Sequence, residues 1–163
     1  MARPLAIVDL DGVVADVRHR LHHLTGRRKD WDGFFAAAPD DPPHAEGLAV
    51  VRRLQEDHDV VYLTGRPERC RADTEAWLER HGFGGHPLHM RSGRDRRPAA
   101  VVKPELLRRL AEGREVAVVV DDDDRVVEAM RRAGYPVLHA DWEQRAADEE
   151  AALARAQEEQ GRT

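Results

Sequence analysis

Three apolar runs each stop at a polar, chemically able side chain. Leu5–Leu10 closes on Asp9 and Asp11, Val60–Leu63 closes on Thr64, and Val116–Val120 closes on four successive aspartates, Asp121 to Asp124. The runs are short and apolar at nearly every position. Such strands are buried on both faces, which places them inside a parallel sheet covered by helices.

The intervening stretches have the periodicity that this sheet requires. Ala45 to about His58 puts Leu48, Val51 and Leu54 on one face of a helix, and about Glu68 to Arg80 reads as another that ends at His81-Gly82. Pro87–Met90 predicts a short third strand. Pro104, just after Lys103, predicts the start of a helix running to about Gly113, because proline suits the first helical turn. A helix after Asp124 closes at Ala133-Gly134, and Pro136–Leu138 predicts a last strand. Alternating strands and helices give a single α/β domain of three layers.

Composition excludes several classes. The net charge of −5 argues against wholesale electrostatic binding of nucleic acid, although Arg18–Lys29 and Arg91–Arg97 form local basic stretches. Cys70 is the only cysteine, so an internal disulfide is excluded. No apolar run approaches the ~20 residues of a membrane span, and the start lacks a signal-peptide pattern, so a cytoplasmic location is expected. The segment from Glu143 is rich in alanine and glutamate and predicts a weakly packed or fraying helix.

In open α/β sheets, ligands bind beyond the carboxyl ends of the strands. Asp9 and Asp11 are two apart and so share a direction from the first strand. With Asp121 and Asp122 they would bring several carboxylates together, an arrangement that repels itself unless a cation intervenes, and an all-oxygen set suits Mg2+. Lys103 stands out because Lys29 is the only other lysine in an arginine-rich chain. Local roles compete for other residues. Asp123 and Asp124 read as helix N-cap and first-turn charges. His19, His22 and His23 read as a solvated face, and Trp31, Phe34 and Phe35, after an N-cap at Asp30, as local core more than as a base-stacking platform.

Asp9-Leu10-Asp11-Gly12, Thr64, Lys103 and the aspartate pair Asp121-Asp122 occur in the order found in the haloacid dehalogenase (HAD) superfamily, which the chain resembles over roughly residues 5 to 140. The resemblance implies a three-layer Rossmann-like HAD fold with a central parallel sheet and a minimal cap. Residues 1–142 would form the phosphatase domain, and 143–163 a charged C-terminal helix or tail. It also implies roles: Asp9 as nucleophile, Asp11 as general acid and base, Thr64 on a phosphate oxygen, and Lys103 holding nucleophile and phosphate together. Mg2+ would be held by Asp9, Asp11, Asp122 and Asp121, with Asp122 the direct ligand and Asp121 its support. The enzyme expected is a phosphoric monoester hydrolase.

A narrower resemblance is to the 3′-phosphatase domain of bacteriophage polynucleotide kinase. Arg20 lies eleven residues after Asp9, and Thr64-Gly65-Arg66 matches a serine-glycine-arginine motif. Asp95, Arg97 and Val101-Val102-Lys103 match the segment around its lysine, and Val126-Val127-Glu128 follows the aspartate pair. This resemblance implies Arg20, Gly65 and Arg66 as substrate-binding residues and a nucleic-acid 3′-phosphate end as substrate, in a repair setting. Where that family carries aspartate four residues before the lysine, this chain has Ala99. No glycine-rich loop followed by lysine-serine or lysine-threonine occurs, so a kinase or ligase is expected to be a separate protein. The alternatives are a phosphatase of small nucleotides or metabolites, resembling a 5′-nucleotidase, and an inactive binding module.

Overall fold

The computed structural model describes residues 2–161. Five strands, β1 (Leu5–Val8), β2 (Asp59–Pro67), β3 (Leu88–Arg91), β4 (Val116–Asp121) and β5 (Val137–His139), form one sheet in the order β3-β2-β1-β4-β5. Every pairing is parallel. The expected α/β sheet is therefore present, with β1 at its centre and the change of winding direction between β1 and β4.

Strand period explains the layers. Ala6 and Val8 join Tyr62, Trp77 and Trp142 on one face, while Leu5 and Ile7 join Leu63, Leu107, Val126 and Met130 on the other. The first face is covered by α2 (Ala45–Leu54) and α3 (Arg71–Arg80), and the second by α4 (Ala99–Leu110) and α5 (Asp124–Arg132). A short excursion between β1 and α2 holds a 3-10 segment at Arg18–Leu24 and the helix α1 (Trp31–Ala36), which Asp30 caps by accepting from the Gly33 N–H at 2.9 Å. This excursion is the minimal cap.

Two boundaries differ from expectation. The helix α4 starts at Ala99, not Lys103, with Pro98 as its N-cap in extended geometry and Pro104 inside the helix. Of the two prolines, Pro98 makes the start because Val101 and Val102 both donate to its carbonyl, at 2.9 and 3.1 Å. The early start puts Lys103 on the helix's buried face, beside Val102 and Leu107. The second strand runs on through Thr64-Gly65-Arg66-Pro67, because after a register shift Pro67 still pairs with Arg91.

The loop after β1 is clamped from two sides. His44 N–H donates to Val14 O at 2.9 Å, and Trp142 Nε1 donates to Val13 O at 2.7 Å. A Cβ on Gly47 would lie 2.0 Å from Val13 O, so only glycine lets α2 approach this closely. Trp142 opens α6 (Trp142–Gly161), whose first turn is anchored while its later residues are exposed, consistent with the expected weak packing.

Leu107 is fully buried between α4 and the sheet. Truncating it removes transfer free energy and leaves a cavity, so Leu107→Ala should destabilise the fold by about 3 kcal/mol, read from urea denaturation. A loss below ~1 kcal/mol would mean that this helix does not pack on the sheet as described.

Candidate active site

The chain enters the site at the end of β1, where the Asp9 N–H donates to Val120 O at 3.0 Å and fixes Asp9 on the seam between β1 and β4. From α4, the Lys103 ammonium reaches Asp9 Oδ1 at 2.9 Å and Asp121 Oδ2 at 2.6 Å. Burial opposes the charge on Lys103, but Asp121 and Asp9 more than offset it and hold the ammonium well above its ordinary pKa. The second oxygen of Asp121 accepts the Asp123 N–H at 3.0 Å. Asp122 lies over the turn after β1. That turn needs Gly12, whose φ is +80° and whose position leaves no room for a Cβ, which would sit 2.0 Å from Asp122 Oδ2.

Asp9, Asp121 and Asp122 each offer an oxygen within 4.8 Å of the others. Burial, then the charge of Asp121, raise the Asp9 pKa despite Lys103; burial, then Asp9, raise that of Asp122. Among the described residues no cation pairs with Asp122. Three carboxylates thus face one ammonium, and the all-oxygen set fits a small hard divalent cation of the magnesium kind.

Asp11 has a different environment from the one expected. Its Oδ1 accepts from Arg20 Nη2 at 2.9 Å and from Arg66 Nε at 2.9 Å and Nη2 at 2.5 Å. Burial raises its pKa, but Arg66 and Arg20 outweigh that and hold the carboxyl below the ordinary range. Its carboxylate lies outside the Asp9–Asp121–Asp122 cluster. Arg20, expected as a substrate ligand, is engaged with carboxylates of the protein itself. It is fully buried, does not line the crevice, and donates to both oxygens of Asp41 at 2.8 Å. A guanidinium without water needs such partners, and Asp41 and Asp11 supply them.

Asp41 is the functional residue that sequence reasoning missed. In the sequence it sits in the turn-forming run Asp40-Asp41-Pro42-Pro43. It is buried, also accepts from Arg66 Nη2 at 3.2 Å, and lies 2.6 Å from His19 Nε2, while its carbonyl accepts from Trp77 Nε1 at 2.9 Å. Nothing local separates it from Asp40. Its partners come from three distant segments.

Thr64 Oγ1 accepts the Arg66 N–H at 3.1 Å, which leaves the hydroxyl proton for another acceptor. Asp9, Asp11, Thr64, Gly65, Arg66, Lys103 and Asp122 all line one crevice of about 1360 Å³. Ala99 lines it too, as do the exposed Arg69, Arg96 and Arg97. Asp123 caps α5 by accepting from Arg125 N at 2.8 Å, the local role expected of it. A second group, Asp16, His44 and Glu143, also lies close together, but Arg18 occupies the Asp16 carboxylate.

The sequence matches the family described as the polynucleotide kinase PNKP phosphatase domain over residues 4–144. The chain belongs to that family. It is a HAD-type phosphatase and a phosphoric monoester hydrolase. A chain of the Pnkp1/Rnl/Hen1 RNA repair complex superposes with a TM-score of 0.70 at 25% identity, covering 84% of this chain and 42% of that one. This PNKP-type domain thus spans less than half of that relative's length. The magnesium-bound HAD hydrolase YfnB from Bacillus subtilis shares the fold, with a TM-score of 0.61 at 8% identity over 86% of this chain and 90% of its own. A haloacid dehalogenase-like protein from Streptococcus pneumoniae does so with a TM-score of 0.55 at 13% identity, covering 84% of each chain. No curated protein matches by sequence comparison. Among the described residues of this PNKP-type phosphatase, no helix is long and apolar enough to cross a membrane.

The Arg20–Arg66–Asp11–Asp41 group balances two cations against two carboxylates. Removing one charge leaves the others buried and unmatched, so Asp41→Asn should cost about 3 kcal/mol in urea denaturation. A variant as stable as wild type would show that the arginines do not depend on Asp41.

Proposed function

We propose that this chain removes the phosphate from nucleic-acid 3′-ends as a Mg2+-dependent polynucleotide 3′-phosphatase, through an aspartyl-phosphate on Asp9. The observation that carries the proposal is the placement of Asp9 against Lys103, beside Asp122 and Thr64, in an open crevice whose rim carries arginines. The family match over residues 4–144 supports the same substrate class, and the RNA repair setting is that of the matched complex. The catalytic unit in this reading is residues 1–142, followed by the charged segment 143–163, whose Glu143 and Gln144 still border the crevice.

Lys103 holds Oδ1 of Asp9, leaving the other carboxylate oxygen to attack phosphorus in line with the ester oxygen. As the new O–P bond forms, the P–O bond to the sugar breaks, and the departing 3′ oxygen takes its proton from the minor, protonated form of Asp11, since Arg66 and Arg20 favour the carboxylate. Asp11 then takes a proton from water, whose oxygen attacks phosphorus, releasing phosphate and restoring Asp9. Arg20 and Arg66 keep Asp11 in place for both transfers. Thr64 donates its hydroxyl to a phosphate oxygen, the amide of Gly65 lies beside it, and Lys103 compensates charge on nucleophile and phosphate. Mg2+, held by Asp9 and Asp122 with Asp121 in support, would supply charge neutralisation for the phosphoryl oxygens.

Chelation should remove at least 95% of activity, an order-of-magnitude expectation for a lost metal, with Mg2+ restoring it and Ca2+ doing so poorly because calcium favours looser coordination. Undiminished turnover after exhaustive chelation would take the metal out of the mechanism.

The substrate class is tested by comparing kcat/KM for a 3′-phosphorylated oligonucleotide, a mononucleotide and a sugar phosphate across a salt series. The oligonucleotide should be preferred and should lose activity most steeply with salt, because counterion release scales with the phosphates contacted. Preference for the mononucleotide with equal salt slopes would favour the small-nucleotide phosphatase instead.

A further inference from the structure

The three aromatic residues of α1 do not share one environment. Phe34 is buried, with the Arg20 guanidinium 4.1 Å from its ring, as expected of local core. Trp31 is 48% exposed and, like Phe35, lines the same crevice as Asp9 and Thr64. An isolated exposed tryptophan would need no explanation. This one sits in the wall of a catalytic crevice, on a rigid support.

That support is built from several contacts. Asp30 fixes the start of α1, so Trp31 occupies the first helical position. Its indole stacks on Phe35 at 5.9 Å with an interplanar angle of 24°, and meets Phe34 edge-on at 5.8 Å. Arg69 pairs with Asp32 at 2.8 Å and places its guanidinium 5.9 Å from the Phe35 ring, tying α1 to the turn after Thr64-Gly65-Arg66-Pro67. The Lys29 ammonium lies 5.9 Å from the indole. The result is an aromatic surface with cations at its border, in the wall of the crevice that also holds Asp9 and Thr64.

We infer that Trp31, backed by Phe35, is a nucleobase-stacking subsite for the nucleotide that carries the scissile 3′-phosphate. The inference rests on the 3′-phosphatase reading and deepens it. A crevice of about 1360 Å³ is far larger than a phosphate requires and accommodates a nucleoside unit. A base is planar and stacks on an aromatic ring regardless of its identity, while the neighbouring cations favour the anionic backbone attached to it. The subsite therefore recognises the presence of a base and not its sequence.

The test compares two 3′-phosphorylated oligonucleotides, identical except that one lacks the base on its terminal nucleotide. In wild type, kcat/KM for the intact substrate should exceed that for the abasic one by about tenfold. Trp31→Ala should bring this ratio close to one, and Trp31→Phe should restore most of it, since a ring remains. Fluorescence gives a binding readout, because Trp77 and Trp142 are buried and only Trp31 among the three tryptophans faces solvent. In the Asp9→Asn protein, the intact oligonucleotide should quench emission and the abasic one should not. An equal ratio in wild type and Trp31→Ala, with the oligonucleotide still a good substrate, overturns the stacking subsite alone. A wild-type enzyme that turns over the oligonucleotide no better than an aryl phosphate overturns the 3′-end reading and the subsite with it.

Discussion

Carboxylates taken out of water at the carboxyl edge of a parallel sheet are the constraint around which this molecule is arranged. Asp9, Asp41 and Asp121 are buried, and Asp11 and Asp122 are partly so. An isolated buried carboxylate is too costly to persist ionised, so each must find a cation or a proton. The chain solves this differently on the two sides of β1. On one side Arg20 and Arg66 match Asp11 and Asp41 charge for charge, giving a closed and neutral group. On the other, Lys103 alone faces Asp9, Asp121 and Asp122, an excess of carboxylates that could hold a cation. Two carboxylates two residues apart in sequence, Asp9 and Asp11, thereby acquire opposite electrostatic settings.

The fold serves this division by bringing distant segments to one edge. Asp9 hangs from the central strand where the winding direction changes, which leaves a gap above the sheet that no crossover helix fills. Pro98 starts α4 early enough for Lys103 to emerge from its buried face, and Gly12 removes the one side chain that would displace Asp122. The loop after β1 is held by Gly47, His44 and Trp142, so Asp11 is presented from a clamped segment and not from a free one.

The small excursion before α2 leaves the crevice open. It contributes a wall, not a lid, and that wall is partly aromatic and bordered by arginines. Such an opening leaves space beyond the phosphate-handling residues in this phosphatase domain of the PNKP family, whose matched relative belongs to an RNA repair complex.

Much of this was legible in the linear chain. Continuous apolar runs ending in polar residues specify a buried parallel sheet, and strand ends are where ligands bind, so Asp9, Thr64, Asp121 and Asp122 could be grouped without coordinates, while Lys103, on a helix, joined them through the resemblance to the HAD superfamily. Local capping was equally legible at Asp30 and Asp123, because an N-cap is satisfied within a single turn. Partnership was not. Asp41 looks like its neighbour Asp40, and only the convergence of Arg20, Arg66 and His19 from other segments distinguishes it. The motif around Arg20 and Arg66 marked them as important but not what they hold, since a guanidinium suits a substrate phosphate and a buried carboxylate equally well. Tertiary structure decided between those uses by excluding water from Arg20 and placing Asp11 and Asp41 within its reach. The same holds for Trp31 and Phe34: three residues apart on one helix, they are equivalent as apolar residues in sequence, and only the packing of α1 buries one and leaves the other half exposed in the crevice wall.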